Sequence, residues 1–379
     1  MRNLGVKSAG GLGRLGLRIA CLLLAAALGP CLAGPVLAGQ WDALIDRLAA
    51  DGLDRETARA TLSRPEVRYD PGAMGKKLME YYMAAYGSLL VSKIQARLAD
   101  LEYYFGPVDG RMNYLTKMGI KAFQSRHGQA PDGQPSAGLL DAAEAETAKA
   151  PETLGLRELT APAVSVYETV LTPERLAEAG RFYQDNLPLL RQAQARYGVP
   201  AEIIAGLLTV ETRVGKFLGE DLAVSVLASM AVSPTFASVA GAFSGERVTP
   251  AQAAALDAKA AEKSRWAYHE LKALFAYAAA NRLDLLNMPG SIYGAIGLCQ
   301  FMPSNVSRFG VDGAGHGCVD LFNTADAVFS LANYLNYHGL TAGAGPERQR
   351  AALYHYNHSQ VYVNTIMAVA DYLRGNPLP

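Results

Sequence analysis

The 379-residue chain has no net charge: 35 Lys and Arg stand against 35 Asp and Glu. A balanced chain carries no electrostatic footprint for a polyanion, which excludes nucleic acid as a partner. Long hydrophobic runs are missing too. The apolar stretch "IACLLLAAALGPCLAG" near the N-terminus is interrupted by Gly29 and Pro30. It falls short of the roughly 20 residues that a spanning helix needs. There is no strong strand periodicity and no long repeat. Cysteine is scarce, at four residues. Gly and Pro are near average and 50% of residues are hydrophobic, a globular composition. The length allows two domains of roughly 100–200 residues each.

What is present begins with a basic leader. Arg2, Lys7, Arg14 and Arg18 precede or enter the apolar stretch, with no acid in residues 1–38. Small residues follow in "PVLAGQW". This order of basic, apolar and small segments predicts a secretory signal peptide cut after Ala38. A short membrane anchor is the alternative. Lipidation of Cys31 is a further one, with Pro30 directly before the Cys speaking against it. Cleavage leaves 31 basic and 35 acidic side chains, a net of −4, and only Cys299 and Cys318. An oxidising compartment permits a disulfide between them, and two buried free thiols are the alternative.

Residues 39–88 read as helical, with Trp41, Leu44, Ile45 and Leu48 at helical spacing and a second helix in "MGKKLMEYYMAAY". Residues 89–148 differ in texture, because Gly-Pro and Asp-Gly turns separate short amphipathic helices. Residues 149–165 form a polar linker, and residues 166–379 are mostly helical again.

Within this last segment, "IIAGLLTVETRVG" places one acid in an apolar run. From Pro200, a helical face collects Ile204, Leu207, Leu208, Glu211, Val214 and Gly215, so Glu211 falls on the buried stripe. No basic residue lies one turn away. A desolvated carboxyl without a cation has a raised pKa and can serve as a general acid. The alternative is a Glu paired with a distant Arg or capping another helix. Glu220 and Asp221 are second carboxyl candidates, or else residues of a solvated loop. Three later stretches add neutral hydrogen-bonding groups, glycines and aromatics: "PGSIYGAIGLCQFMPSNVSRFGVD", "DGAGHGCVDLFNTADAVFSLANYL" and "YHYNHSQVYVNTI". Ser291, Gln300, Tyr356, Asn357 and Tyr362 suit a neutral sugar chain.

Two family resemblances follow. Residues 91–147 resemble the small peptidoglycan-binding domain of cell-wall enzymes, through Asp109-Gly110, Ala122-Phe123-Gln124 and Asp132-Gly133. The family's "G-x-x-T" is altered to "MNYLT" here, and a helical insert that binds nothing is the alternative. The motifs "YGVPAEIIAGLLTVETRVG", "GSIYGAIGLCQFMPS", "NYLNYHGL" and "YNHSQVYV" resemble the membrane-bound lytic transglycosylase B family. The resemblance implies a mainly α fold: a lysozyme-like helical catalytic domain, with the three-helix binding domain inserted into it. It implies Glu211 as the single catalytic residue, acting on peptidoglycan glycan strands in the periplasm, with no cofactor. Ser291, Gln300, Tyr356, Asn357 and Tyr362 would contact substrate, and Lys263 and Arg265 would stand in for a basic pair near the cleft. Cell-wall synthesis or division proteins would be the partners.

The resemblance has departures. Relatives commonly keep Trp where Val214 stands. Some members bind calcium in a loop matching "VDGAGHGCVD", but Ala314 and His316 replace oxygen ligands, so no metal is expected. A Cys299–Cys318 disulfide would pin that loop instead. A hydrolytic muramidase and a non-catalytic peptidoglycan-binding scaffold are the rival functions.

Overall fold

The computed structural model describes residue 39, residues 41–160 and residues 164–375. The expected signal segment, with Cys21 and Cys31, lies outside the described residues. Among these residues the regular structure is helical, apart from one antiparallel pair of two-residue strands, β1 (Asp221–Leu222) and β2 (Pro289–Gly290), and the isolated bridges Gly290–Ile296 and Ile296–Phe301.

The N-terminal helices belong to the main core. α1 (Asp42–Ala50) buries Leu44, Ile45 and Leu48 as their spacing requires. α2 (Arg55–Leu62) starts at Asp54, whose carboxylate accepts the Thr57 N–H at 2.7 Å. α3 (Gly72–Tyr86) buries Met74, Leu78 and Tyr82, and Tyr82 meets Phe243 edge-on at 5.5 Å.

Next come α4 (Leu89–Asp100), α5 (Tyr114–Arg126) and α6 (Ala137–Ala145), around a separate core of Ile94, Leu98, Tyr103, Ile120, Phe123 and Leu139. One device builds both Asp-Gly turns. The Gln95 side-chain oxygen accepts the N–H groups of Asp109 (3.0 Å) and Gly110 (2.8 Å). Gln124 accepts the Gly133 N–H at 2.9 Å and donates to Asp132 at 2.7 Å. Each aspartate takes the N–H two residues on, from Arg111 and from Gln134. Asn113 and Ser136 then cap the next helix. The altered "MNYLT" still delivers Thr116 to the interior, where it accepts from Gln95 at 2.9 Å. Buried amides are tolerated because they are fully hydrogen-bonded. Glu246 fastens this module to the main body: it accepts the Ser88 hydroxyl at 2.6 Å and the Leu89 N–H at 2.8 Å.

The remaining helices are α7 (Pro173–Asp185), α8 (Leu187–Tyr197), α9 (Ala201–Thr212), α10 (Ala223–Ala231), α11 (Pro250–Asn281), α12 (Pro303–Phe309), α13 (Thr324–Tyr337), α14 (Pro346–Tyr356) and α15 (Gln360–Leu373). Helix α9 is central: ten of its twelve residues are buried, which explains its nearly all-apolar sequence. Gly206 admits α15, since a Cβ there would stand 3.0 Å from the Ile366 carbonyl oxygen. The one acid early in α9, Glu202, is held by Tyr183 (2.6 Å) and Arg191 (3.2 Å). No single described helix is long and apolar enough to cross a membrane.

Candidate active site

Helix α9 ends one residue after Glu211, earlier than its periodicity predicts. Arg213, Val214 and Gly215 are all left-handed, at φ 51°, 54° and 88°. The Leu208 carbonyl accepts the N–H groups of both Arg213 and Val214, which closes the helix. Val214 and Gly215 therefore leave the helical face and turn the chain across the end of α9. Positive φ is costly for a β-branched residue, so the turn at Val214 is strained. Thr212 pins the turn: its hydroxyl donates to the Leu298 carbonyl at 2.9 Å and accepts the Gly215 N–H at 3.0 Å.

The turn also removes the nearest cation. Arg213 reaches back to Glu174 and Glu178 on α7. With Lys216 it lowers the Glu178 carboxyl to about 2. Among the described residues, Glu211 is left with one hydrogen bond, from the Tyr362 hydroxyl. Its carboxyl lies deep among protein atoms although the residue keeps intermediate exposure. Burial raises its pKa to about 7, against a smaller opposing effect of the phenol. Desolvation also holds Tyr362 well above its ordinary value, so the phenol keeps its proton and donates.

Two other loops close on this carboxyl. The Tyr356 hydroxyl donates to the Cys299 carbonyl, beside Gln300. The Tyr356 and Tyr362 rings lie 6.4 Å apart with planes 6° from parallel. Gln300 adopts φ 52°, and its amide N–H₂ donates to the carbonyls of Gly297 (3.0 Å) and Leu218 (3.4 Å), which leaves its oxygen as an acceptor. β1 pairs with β2 through Asp221 and Gly290, one residue before Ser291. The Ser291 hydroxyl accepts the N–H groups of Tyr293 (3.3 Å) and Ala295 (3.1 Å), keeping its own proton for a ligand. Gly219 allows this approach: at φ 111°, a Cβ would fall 1.8 Å from the Gly290 oxygen. Asn357 is exposed in extended backbone just past α14, its side chain open to the surface.

Lys263 and Arg265 lie on α11. Lys263 pairs with Glu262 at 3.2 Å and stands over the Trp266 ring, and Arg265 is exposed. No hydrogen bond or ion pair among the described residues joins either to Glu211, Ser291 or Gln300. The lysine that reaches the Ser291 loop is on α3: Lys77 covers the Tyr293 ring at 4.0 Å, and the Tyr293 hydroxyl donates to Glu80. The neighbouring Lys76 acts on Asp221. Burial raises the Asp221 carboxyl, nearby Asp70 and Glu220 raise it further, and Lys76 opposes them. Sequence reading gave α3 as a helix but missed its place beside the Ser291 loop, because only tertiary packing brings it here. It also missed Tyr334, whose ring meets Tyr356 at 5.0 Å, although "NYLNYHGL" contains it.

The expected disulfide does not form. Cys299 is buried, its thiol raised to about 12 by burial, and Cys318 is free and half-buried with its sulfur 3.4 Å from His316 Nδ1. The Leu298 N–H to Leu321 carbonyl bond (2.9 Å) ties the two loops instead. In the 312–326 loop, Asp312, His316 and Asp326 bring one ligand atom each within 4.8 Å of one another. Calcium does not suit this set, since it needs six to eight oxygens. Here an imidazole stands between the two carboxylates, which already accept backbone N–H groups: Gly315, His316 and Gly317 on Asp312, and Gly313, Ala314 and Asp320 on Asp326.

The transglycosylase SLT domain family matches residues 139–350, more than half of the chain. The chain belongs to that family. A peptidoglycan binding domain matches residues 88–142. Membrane-bound lytic murein transglycosylase B of Escherichia coli strain K12 is 32% identical over 173 residues, 46% of this chain and 41% of that protein. The chain thus matches about two-fifths of that relative's length. SltB3 from Pseudomonas aeruginosa, solved with NAG-anhNAM-pentapeptide, superposes with a TM-score of 0.54 at 17% identity, over 89% of this chain and 79% of that one. The Escherichia coli lytic transglycosylase Slt35 with bulgecin A gives 0.46 at 21%, over 72% and 95%. As an SLT-domain protein, the chain is mainly α and lysozyme-like, as its sequence predicts.

Proposed function

We propose that the chain is a peptidoglycan lytic transglycosylase with Glu211 as its acid and then its base. The carrying observation is the solitude of Glu211: a buried carboxyl, raised to about 7, with a phenol as its one hydrogen-bond partner among the described residues. Such a group is protonated in part near neutral pH, the condition for a general acid. It gives its proton to the oxygen of the β-1,4 bond between N-acetylmuramic acid and N-acetylglucosamine. The bond breaks and the second sugar leaves as an alcohol. The carboxylate then takes the proton of the muramyl C6 hydroxyl as that oxygen bonds to C1 of the same ring, forming the 1,6-anhydro sugar. Attack within one ring gains from proximity and needs no second carboxylate. The Tyr362 hydroxyl stabilises the carboxylate between the two steps. Ser291, Gln300, Tyr356 and Asn357 offer hydrogen bonds and a ring face to the glycan.

Lys263 and Arg265 would act on more distant parts of the substrate. The module of residues 89–148 would hold the enzyme on the wall, and residues 1–38 would direct it to the periplasm. Cell-wall synthesis or division proteins are partners by family analogy.

The test is digestion of purified sacculi with wild type and Glu211→Gln, read by mass spectrometry. The wild type should release anhydro-muropeptides, lighter by one water than hydrolysed ones, and the variant none. Hydrated ends would assign a muramidase, and sacculus binding without release a scaffold.

A further inference from the structure

An aromatic run leads away from Glu211 to a surface that the reaction above does not use. Tyr334 meets the Tyr356 ring at 5.0 Å on one side and the His338 ring at 4.3 Å on the other. His338 stacks on His355 with ring centroids 5.0 Å apart and planes at 28°. The Tyr334 hydroxyl donates to the His355 carbonyl at 3.2 Å, so the residue before Tyr356 is held by the same tyrosine. Tyr337, 57% exposed, lies 5.1 Å from His338, and the Arg308 guanidinium covers its ring at 4.2 Å.

Three features mark this surface as a binding face. Among the described residues, Arg308 has no carboxylate within ion-pair distance, and its side chain donates to the Tyr337 hydroxyl alone. Among the described residues, neither imidazole makes a side-chain hydrogen bond to protein, which leaves the N–H groups for a ligand. The patch is continuous with the rings beside Glu211. Burial, His355 and Arg308 lower the His338 pKa, so that ring donates N–H as a neutral group beside one fixed guanidinium. A guanidinium fork with adjacent N–H donors matches a carboxylate, and the Tyr337 face matches an apolar or planar neighbour.

Resting on the proposed glycan cleavage, we infer that Arg308, Tyr337, His338 and His355 form a subsite for a carboxylate on a peptide stem of the glycan. The enzyme would then prefer strands that still carry acidic stems over strands stripped of peptide.

Two measurements test it. In the Glu211→Gln background, binding of a disaccharide-tripeptide and of the peptide-free disaccharide is compared by calorimetry. Arg308→Ala with His355→Ala should weaken the first by about tenfold or more relative to the second. In the active enzyme, the same pair should reduce the ratio of kcat/KM on peptide-bearing over amidase-stripped glycan by a similar factor. Equal losses on both ligands, or no loss on either, would overturn the subsite. The binding arm gives its answer even if no cleavage is seen, a result that would sink the proposed reaction alone.

Discussion

Glu211 couples stability to pH. Burial moves its carboxyl from an ordinary 4.5 to about 7. A folded-state pKa above the unfolded one means that the native protein keeps a proton the unfolded chain has lost. Stability therefore falls as pH rises from about 4.5 to about 7, by on the order of 3 kcal/mol, and stays lower above. Glu211→Gln removes that dependence. Urea midpoints should coincide near pH 4 and separate by pH 8, with the Gln variant the more stable. Tyr362→Phe acts in the other direction: without the phenol, the carboxyl rises above about 7. The limb of the pH–rate profile that reports Glu211 should move to higher pH, and the rate at its optimum should fall.

Among the elements, the Gly219 approach and the Glu246 clasp carry the sharpest expectations. Gly219→Ala would place a Cβ 1.8 Å from the Gly290 oxygen in left-handed backbone, so β1 and β2 must part. We expect a loss of at least about 2 kcal/mol in chemical denaturation, together with lost activity, because Ser291 moves with β2. Glu246→Ala leaves the Ser88 hydroxyl and the Leu89 N–H without their acceptor while Ser88 still caps the Val91 N–H, costing about 1–2 kcal/mol. Faster hydrogen exchange at residues 88–92 should localise the effect. These elements also show what was legible in the sequence. An acid on an apolar stripe is a local signal, so Glu211 could be read from periodicity. The end of α9 could not: it depends on Thr212 meeting Leu298 and Arg213 meeting Glu178, partners 86 and 35 residues away. Lys77 and Tyr334 were hidden for the same reason.

For the whole molecule, the 312–326 loop predicts indifference to calcium. Its carboxylates are satisfied by backbone N–H groups and an imidazole. Thermal unfolding should shift by less than about 1 °C between millimolar calcium and EDTA, whereas a loaded site would raise the midpoint with calcium concentration. The substitutions that decide this, Ala314 and His316, were readable from the sequence. The absent Cys299–Cys318 bond was not, since spacing does not fix where two sulfurs point.

The position of the module in the chain has a consequence for the order of folding. α3 packs beside Ala242 and Phe243, with more than 150 residues between them in sequence. Closing so long a loop is slow while the intervening chain is a coil. The module shortens the search, since its buried core, from Ile94 to Ala143, is drawn from one short stretch of chain and can form first. Pulse-labelled hydrogen exchange should therefore protect Ile94 and Ile120 before Leu78. A variant that unfolds the module should slow assembly of a helical body it does not otherwise alter.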